Sequence, residues 1–244
     1  MINIKYNKST SNLFIFTKNK FFKVPLSLPA LKSIINEINN YKIVGKDQFF
    51  NKFLPEIKSF KYFFSLKKKS NISYNDERIF FRKFINSISY KNENKKKLID
   101  IDHYEPIIQF VKKHNNRNIS QLNLFLEINK IDISSSHGDF YKNNKEKEKK
   151  NYFLIDWPLY SKESNIIFDL INFKIFSSKY YKNNWYEFIK KNKKHFLKFL
   201  EIKYLKIFVL WKISNEIKSM NMNNYKVNKY KIIIDDFFEE FISE

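Results

Sequence analysis

The sequence predicts an α+β protein of two lobes, a small β-rich N-terminal lobe and a mostly helical C-terminal lobe. Three observations carry this reading. The first 66 residues hold short apolar and aromatic runs around one helical pattern, the apolar period from about Asn75 onward is helical, and only Ile131 to Trp157 departs from that period. The division falls between residues 1–68 and 69–244.

Taken in order, Leu13-Phe14-Ile15-Phe16 and Phe21-Phe22-Lys23-Val24 flank Thr17-Lys18-Asn19-Lys20, the pattern of a tight antiparallel hairpin. Ser27 can cap a following helix and Pro29 suits its first turn, after which Leu31, Ile34, Ile35, Ile38 and Tyr41 make one apolar face. Phe60 to Leu66 reads as a strand entered after Pro55. Helices are expected at Asp76 to Tyr90, Tyr104 to His114, Ser120 to Asn129, Trp185 to Leu200, Tyr204 to Ser219 and Val227 to Phe241. Between them, Ile131 to Trp157 alternates short polar and apolar pieces around an all-charged link, Lys145 to Lys150, too short to separate domains.

Composition narrows the function classes. There is no cysteine, so neither disulfides nor a Cys-ligated zinc site is available, and the four histidines lie too far apart for a local metal motif. A reducing cytoplasm is expected. The N-terminal Met1 to Tyr6 lacks the apolar run of a signal peptide, and Ile207 to Trp211 is bounded by lysines well short of a bilayer span, so no transmembrane segment is expected. The charge of +21, from 46 Lys+Arg against 25 Asp+Glu, reads as solvated faces rather than a nucleic-acid track, because the whole chain is rich in Lys, Asn, Ile and Phe.

The chemistry concentrates in Ser134-Ser135-Ser136-His137-Gly138-Asp139-Phe140-Tyr141-Lys142-Asn143-Asn144, followed by Phe153-Leu154-Ile155-Asp156-Trp157. Phosphoryl transfer asks a protein to orient an acceptor hydroxyl with a carboxylate and to hold Mg²⁺ with oxygen ligands. An Asp with an Asn five residues on lets one loop serve both needs, and Asp156 after an apolar run adds a further oxygen. Gly138 is one of only two glycines in the chain, and it stands beside this Asp, as expected where backbone geometry or close approach forbids a side chain.

His-Gly-Asp, four intervening residues and Asn, then Ile-Asp-Trp, resembles the aminoglycoside phosphotransferase and choline kinase branch of the protein-kinase-like superfamily. Phe168-Asp169-Leu170 extends the resemblance to the helix that follows the motif in that family. The resemblance implies a bilobal kinase-like fold, ATP as co-substrate, Mg²⁺ as cofactor and a hydroxyl acceptor. It implies Asp139 as the catalytic residue, Asn144 and Asp156 as metal ligands, and His137 and Gly138 as the residues that shape the loop. It also calls for a strand lysine on the phosphates and a helix glutamate to hold it, for which Lys23 and Glu37 are the candidates. Ser9, Thr10 and Ser11 stand where the family has a glycine-containing turn over the phosphates, and here hydroxyls and backbone N–H groups would make those contacts. The acceptor is expected to be a small molecule or glycan, and the positive field suits an anionic one. Trp157, Tyr160, Tyr180, Tyr181, Trp185 and Trp211 are candidates for lining its pocket, with core packing the plainer role for most. A pseudokinase-type binding module is the alternative, and a nucleic-acid-binding protein is supported by charge alone.

Overall fold

The computed structural model describes residues 2–8, 10–60, 62–67, 70–71, 73–87, 94–140, 145–148, 151–157, 159–182, 184–219 and 224–242. The strands are β1 (Asn3–Asn7), β2 (Asn12–Phe16), β3 (Lys20–Pro25), β4 (Ile57–Ser59), β5 (Phe64–Lys67), β6 (Ser70–Asn71), β7 (Lys95–Lys97), β8 (Lys130–Asp132), β9 (Ser134–Ser136), β10 (Lys145–Glu148), β11 (Asn151–Leu154) and β12 (Ser161–Ser164). The helices are α1 (Leu28–Val44), α2 (Tyr74–Ser87), α3 (Glu105–His114), α4 (Ile119–Ile128), α5 (Ile166–Phe176), α6 (Trp185–Phe196), α7 (Ile202–Ser219) and α8 (Asn224–Phe237), the last running into a π-helical turn at Phe238–Ile242. Contacts divide the chain into two compact units, Met1–Tyr90 with His137–Tyr160, and Lys91–Ser136 with Ser161–Glu244. Among the described residues no helix is long and apolar enough to cross a membrane.

The first unit is built on an antiparallel sheet of order β1-β2-β3-β5-β4. The β2–β3 hairpin places Phe14 opposite Lys23 and closes where the Thr17 N–H and hydroxyl both donate to the Lys20 carbonyl. Ser27 caps α1 by accepting from the Ala30 N–H at 3.3 Å. Ile34, Ile38 and Tyr41 are buried as the helical period requires, but Ile35 is 38% exposed, because it lies one position round from that stripe. Phe60 to Leu66 is not one strand: the Phe60 N–H donates to the Phe63 carbonyl, turning the chain between β4 and β5.

The charged link is also corrected. Lys145–Glu148 forms β10, paired with β11 so that Lys147 faces Tyr152, and with β6 on its other edge. Backbone hydrogen bonding is blind to side-chain charge, and Lys147 pairs with Asp76, which the same bond holds below the usual carboxylate range. Six buried aromatics, Phe50, Phe53, Phe80, Phe84, Phe140 and Trp157, fill the core beneath.

The second unit packs α3 to α8 around one apolar core that includes Leu122, Ile171, Phe208 and Ile234. It also holds the short pairs β7–β8 and β9–β12. Helix α5 is apolar on nearly every side, which hides its period in the sequence. Trp185 and Trp211 are buried in this core and Tyr181 packs edge-on against Phe176, whereas Tyr180 is 71% exposed.

His103 stacks on Trp211 with ring centroids 5.4 Å apart, and its Nε2 is shut off from solvent with no hydrogen-bond partner among the described residues. Burial, with the nearby Lys218 adding to it, pushes its pKa down to about 4. A histidine neutral in the folded state and ordinary when unfolded has no effect above pH 6.5 and removes stability as pH falls from 6.5 towards 4. The loss reaches about 3 kcal/mol by the conversion of pKa shift to free energy. His103→Phe is expected to flatten this part of the stability profile in urea titrations at pH 7, 5.5 and 4.

Candidate active site

Lys23, Glu37 and Asp156 come together beside α1. Lys23 sits in the middle of β3, with its Nζ 2.7 Å from Glu37 Oε2 and 3.0 Å from Asp156 Oδ1. The Glu37 side chain is 1% exposed and that of Lys23 13%, whereas that of Asp156 is 38% exposed. Burial works to depress the Lys23 ammonium, but Glu37 and Asp156 together outweigh it and hold its pKa above the ordinary lysine value. Burial pushes the Glu37 carboxyl up to about 7, against the opposing pull of Lys23. The result is an ammonium fixed between a buried carboxyl and a more exposed one.

Asp156 has a φ of 64°, in the left-handed region that costs a non-glycine residue about 1–2 kcal/mol. Its neighbours hold it there. The Asp156 N–H donates to Tyr41 Oη at 3.3 Å, Asn40 Nδ2 donates to the Trp157 carbonyl at 2.7 Å, and Trp157 Nε1 donates to the Leu154 carbonyl at 2.9 Å. Such bonds contribute about 1 kcal/mol each. Trp157 is fully buried, against Phe50 and Tyr160.

His137 joins the second carboxylate to this turn. The backbone N–H of Asp139 donates to His137 Nδ1 at 3.2 Å, so that nitrogen carries no proton and the ring's hydrogen sits on Nε2, 3.1 Å from the Ile155 carbonyl that accepts it. One neutral imidazole thus ties the residue after Gly138 to the residue before Asp156. Phe140 anchors the other side of Asp139, fully buried and stacked on Phe84 at 4.6 Å. Asp139 itself is half-buried.

Gly138 has a φ of 84°, and a Cβ there would lie inside contact distance of the Leu159 carbonyl oxygen and 2.7 Å from Leu159 Cβ. Both the conformation and the space demand glycine. Gly138→Ala is expected to lower stability by about 2–5 kcal/mol, the sum of left-handed strain and overpacking, read as a shift of the denaturation midpoint.

The two described phosphate-loop candidates, Thr10 and Ser11, lie in the turn between β1 and β2. Thr10 is exposed, with its N–H on Asn7 Oδ1 at 3.4 Å, and Ser11 has a φ of 51° and accepts from the Leu26 N–H at 2.9 Å. No hydrogen bond among the described residues links either to Lys23. Ser9 and Asn144 lie outside the described residues. Trp157 belongs to the core of this unit, and half-buried Tyr160 packs against it, its hydroxyl donating to Asp47 Oδ2 at 2.8 Å. In the sequence Tyr41 belongs to the apolar face of α1 and Asn40 carries no mark of function; their positions four and three residues after Glu37 are the signal that they share its face.

No protein-family model matches the chain, and no curated protein matches it by sequence. Solved structures match it over nearly its whole length. Choline kinase LicA from Streptococcus pneumoniae is 17% identical, with a TM-score of 0.54 over 98% of this chain and 93% of that one. The ADP-bound aminoglycoside phosphotransferase APH(2'')-Ib is 12% identical, with a TM-score of 0.55 over 98% of this chain and 94% of that one. A choline/ethanolamine kinase family protein from Mesorhizobium loti is 9% identical, with a TM-score of 0.55 over 97% of this chain and 88% of that one. The protein therefore has the fold of the aminoglycoside phosphotransferases and choline kinases, the group that its His137-Gly138-Asp139 and Ile155-Asp156-Trp157 motifs resemble.

Proposed function

We propose that the chain is an ATP-dependent O-phosphotransferase acting on the hydroxyl of a small molecule or sugar. The observation that carries the reading is the placement of Lys23 between Glu37 and Asp156, in the unit where His137 ties Asp139 to the Asp156 turn. In this reading residues 1–68 form the nucleotide-binding lobe and residues 69–244 carry the catalytic loop and the acceptor site. Because it draws on ATP, the reaction belongs in the cytoplasm.

Each group then has a task that its surroundings explain. Lys23, charged and already aimed by Glu37, binds the α- and β-phosphates of ATP. Thr10 and Ser11, with Ser9 before them, are proposed to cover the phosphates in place of a glycine-rich turn. Asp139 accepts a hydrogen bond from the acceptor hydroxyl and aligns its oxygen with the γ-phosphorus, since a loose transition state gains more from alignment than from early deprotonation. The hydroxyl proton passes to Asp139 late, as the bond to the γ-phosphoryl group forms and ADP leaves.

The donor chemistry fits Mg²⁺: Asp156 presents a half-exposed carboxylate, a hard oxygen ligand, on a backbone held rigidly from both sides. Asp156 would hold the ion with Asn144 as second ligand, and the bound ion would neutralise charge on the β- and γ-phosphate oxygens. The excess of 46 Lys+Arg over 25 Asp+Glu favours an anionic acceptor such as a phosphosugar or acidic glycan. A panel of amino alcohols, aminoglycosides, sugars and phosphosugars, assayed for labelled phosphate from [γ-³²P]ATP, tests the reading. Transfer to at least one alcohol is expected; nucleotide binding without transfer to any would instead favour a binding module.

A further inference from the structure

We propose that Asn40 and Tyr41 are positioning residues, through which α1 sets the geometry of the Asp156 carboxylate as well as that of Lys23. Glu37, Asn40 and Tyr41 stand at i, i+3 and i+4 and so share one face of α1. Each makes a different contact. Glu37 takes the Lys23 ammonium, Tyr41 Oη accepts from the Asp156 N–H, and Asn40 Nδ2 donates to the Trp157 carbonyl. The last two grip the Asp156 N–H and the carbonyl of the next residue, bracketing the turn that holds the left-handed conformation of Asp156. Both side chains are buried, Asn40 at 8% and Tyr41 at 3% exposure, so water does not replace a lost bond easily. A movement of α1 therefore displaces the lysine anchor and the metal carboxylate together, and the helix acts as one jig for both.

The inference rests on the proposed role of Asp156 towards Mg²⁺, and two measurements separate its failure from the failure of that role. Tyr41→Phe removes one oxygen, and Asn40→Leu keeps volume while removing the donor. By hydrogen exchange followed by NMR, the Asp156 amide is expected to exchange about fivefold faster in Tyr41→Phe, the factor for losing one net hydrogen bond of about 1 kcal/mol. By calorimetry, both variants are expected to bind Mg²⁺-ATP about tenfold more weakly while binding ATP in EDTA within about twofold of wild type. A merely structural role would lower the melting temperature without that split. Unchanged Asp156 exchange in Tyr41→Phe would overturn the positioning role whether or not the protein binds nucleotide, and equal weakening with and without Mg²⁺ in both variants would overturn it as well. If wild type binds no Mg²⁺-ATP, the nucleotide reading falls and the exchange measurement alone decides the inference.

Discussion

Asp139→Asn is expected to lower phosphate transfer by about two orders of magnitude or more, the scale of a positioned acid-base group, with ATP affinity and melting temperature unchanged. The loop is held by backbone and neighbours: the left-handed turn at Gly138, the Asp139 N–H on His137 Nδ1, and Phe140 stacked on Phe84. None of these involves the Asp139 carboxylate. An amide of the same size can still accept a hydrogen bond from the acceptor hydroxyl, but it cannot take up the proton. Single-turnover transfer and thermal denaturation, measured on one preparation, check the prediction. A loss of stability with only a modest loss of rate would mean that the carboxylate braces its loop. Near wild-type turnover together with wild-type stability would remove Asp139 from the chemistry altogether.

Asp156→Asn is expected to abolish the gain in ATP affinity that Mg²⁺ provides, a loss of at least roughly a hundredfold, since even outer partners of metal ligands are worth ten- to a hundredfold. The fold should survive, because asparagine tolerates left-handed backbone better than most residues and the bonds from Asn40 and to Tyr41 involve only main-chain atoms of 156 and 157. Lys23 keeps Glu37, so ATP without metal should bind at least as well as to wild type. Calorimetry with Mg²⁺ and with EDTA reads both effects. Retention of full Mg²⁺-dependent affinity would exclude Asp156 as a ligand.

Much of this arrangement can be read from the sequence because it is local. The hairpin of β2 and β3 and the face of α1 follow from periods of two and 3.6 residues, and the helices of the second unit other than α5 follow from the same rule to within a few residues. The failures share a physical cause. Strand β1 carries its apolar residues, Ile4 and Tyr6, to an exposed face, so no buried run marks it. Between β4 and β5 the aromatics Phe60, Tyr62, Phe63 and Phe64 conceal a turn, and in α5 burial on nearly every side erases the amphipathic period. Strand β10 is hidden by composition, since its pairing depends on backbone groups that the sequence does not display.

The candidate residues themselves were legible through the motifs, but the contacts that organise them were not. Tyr41 meets Asp156 across 115 positions and Asn40 meets Trp157 across 117. Nothing local distinguishes an asparagine on a helix that grips a distant carbonyl from one that faces water. Asp156 likewise gives no sign in sequence of its left-handed backbone, because glycine is the residue that ordinarily announces it.

The most direct measurement is a crystal structure of the protein grown with Mg²⁺ and a non-hydrolysable ATP analogue. The Lys23 ammonium is expected on the α- and β-phosphate oxygens, the metal bonded to Asp156, and the γ-phosphate facing Asp139 across a gap that an acceptor hydroxyl can enter. A nucleotide bound away from Lys23, or a metal more than one water shell from Asp156 and Asn144, would contradict this arrangement.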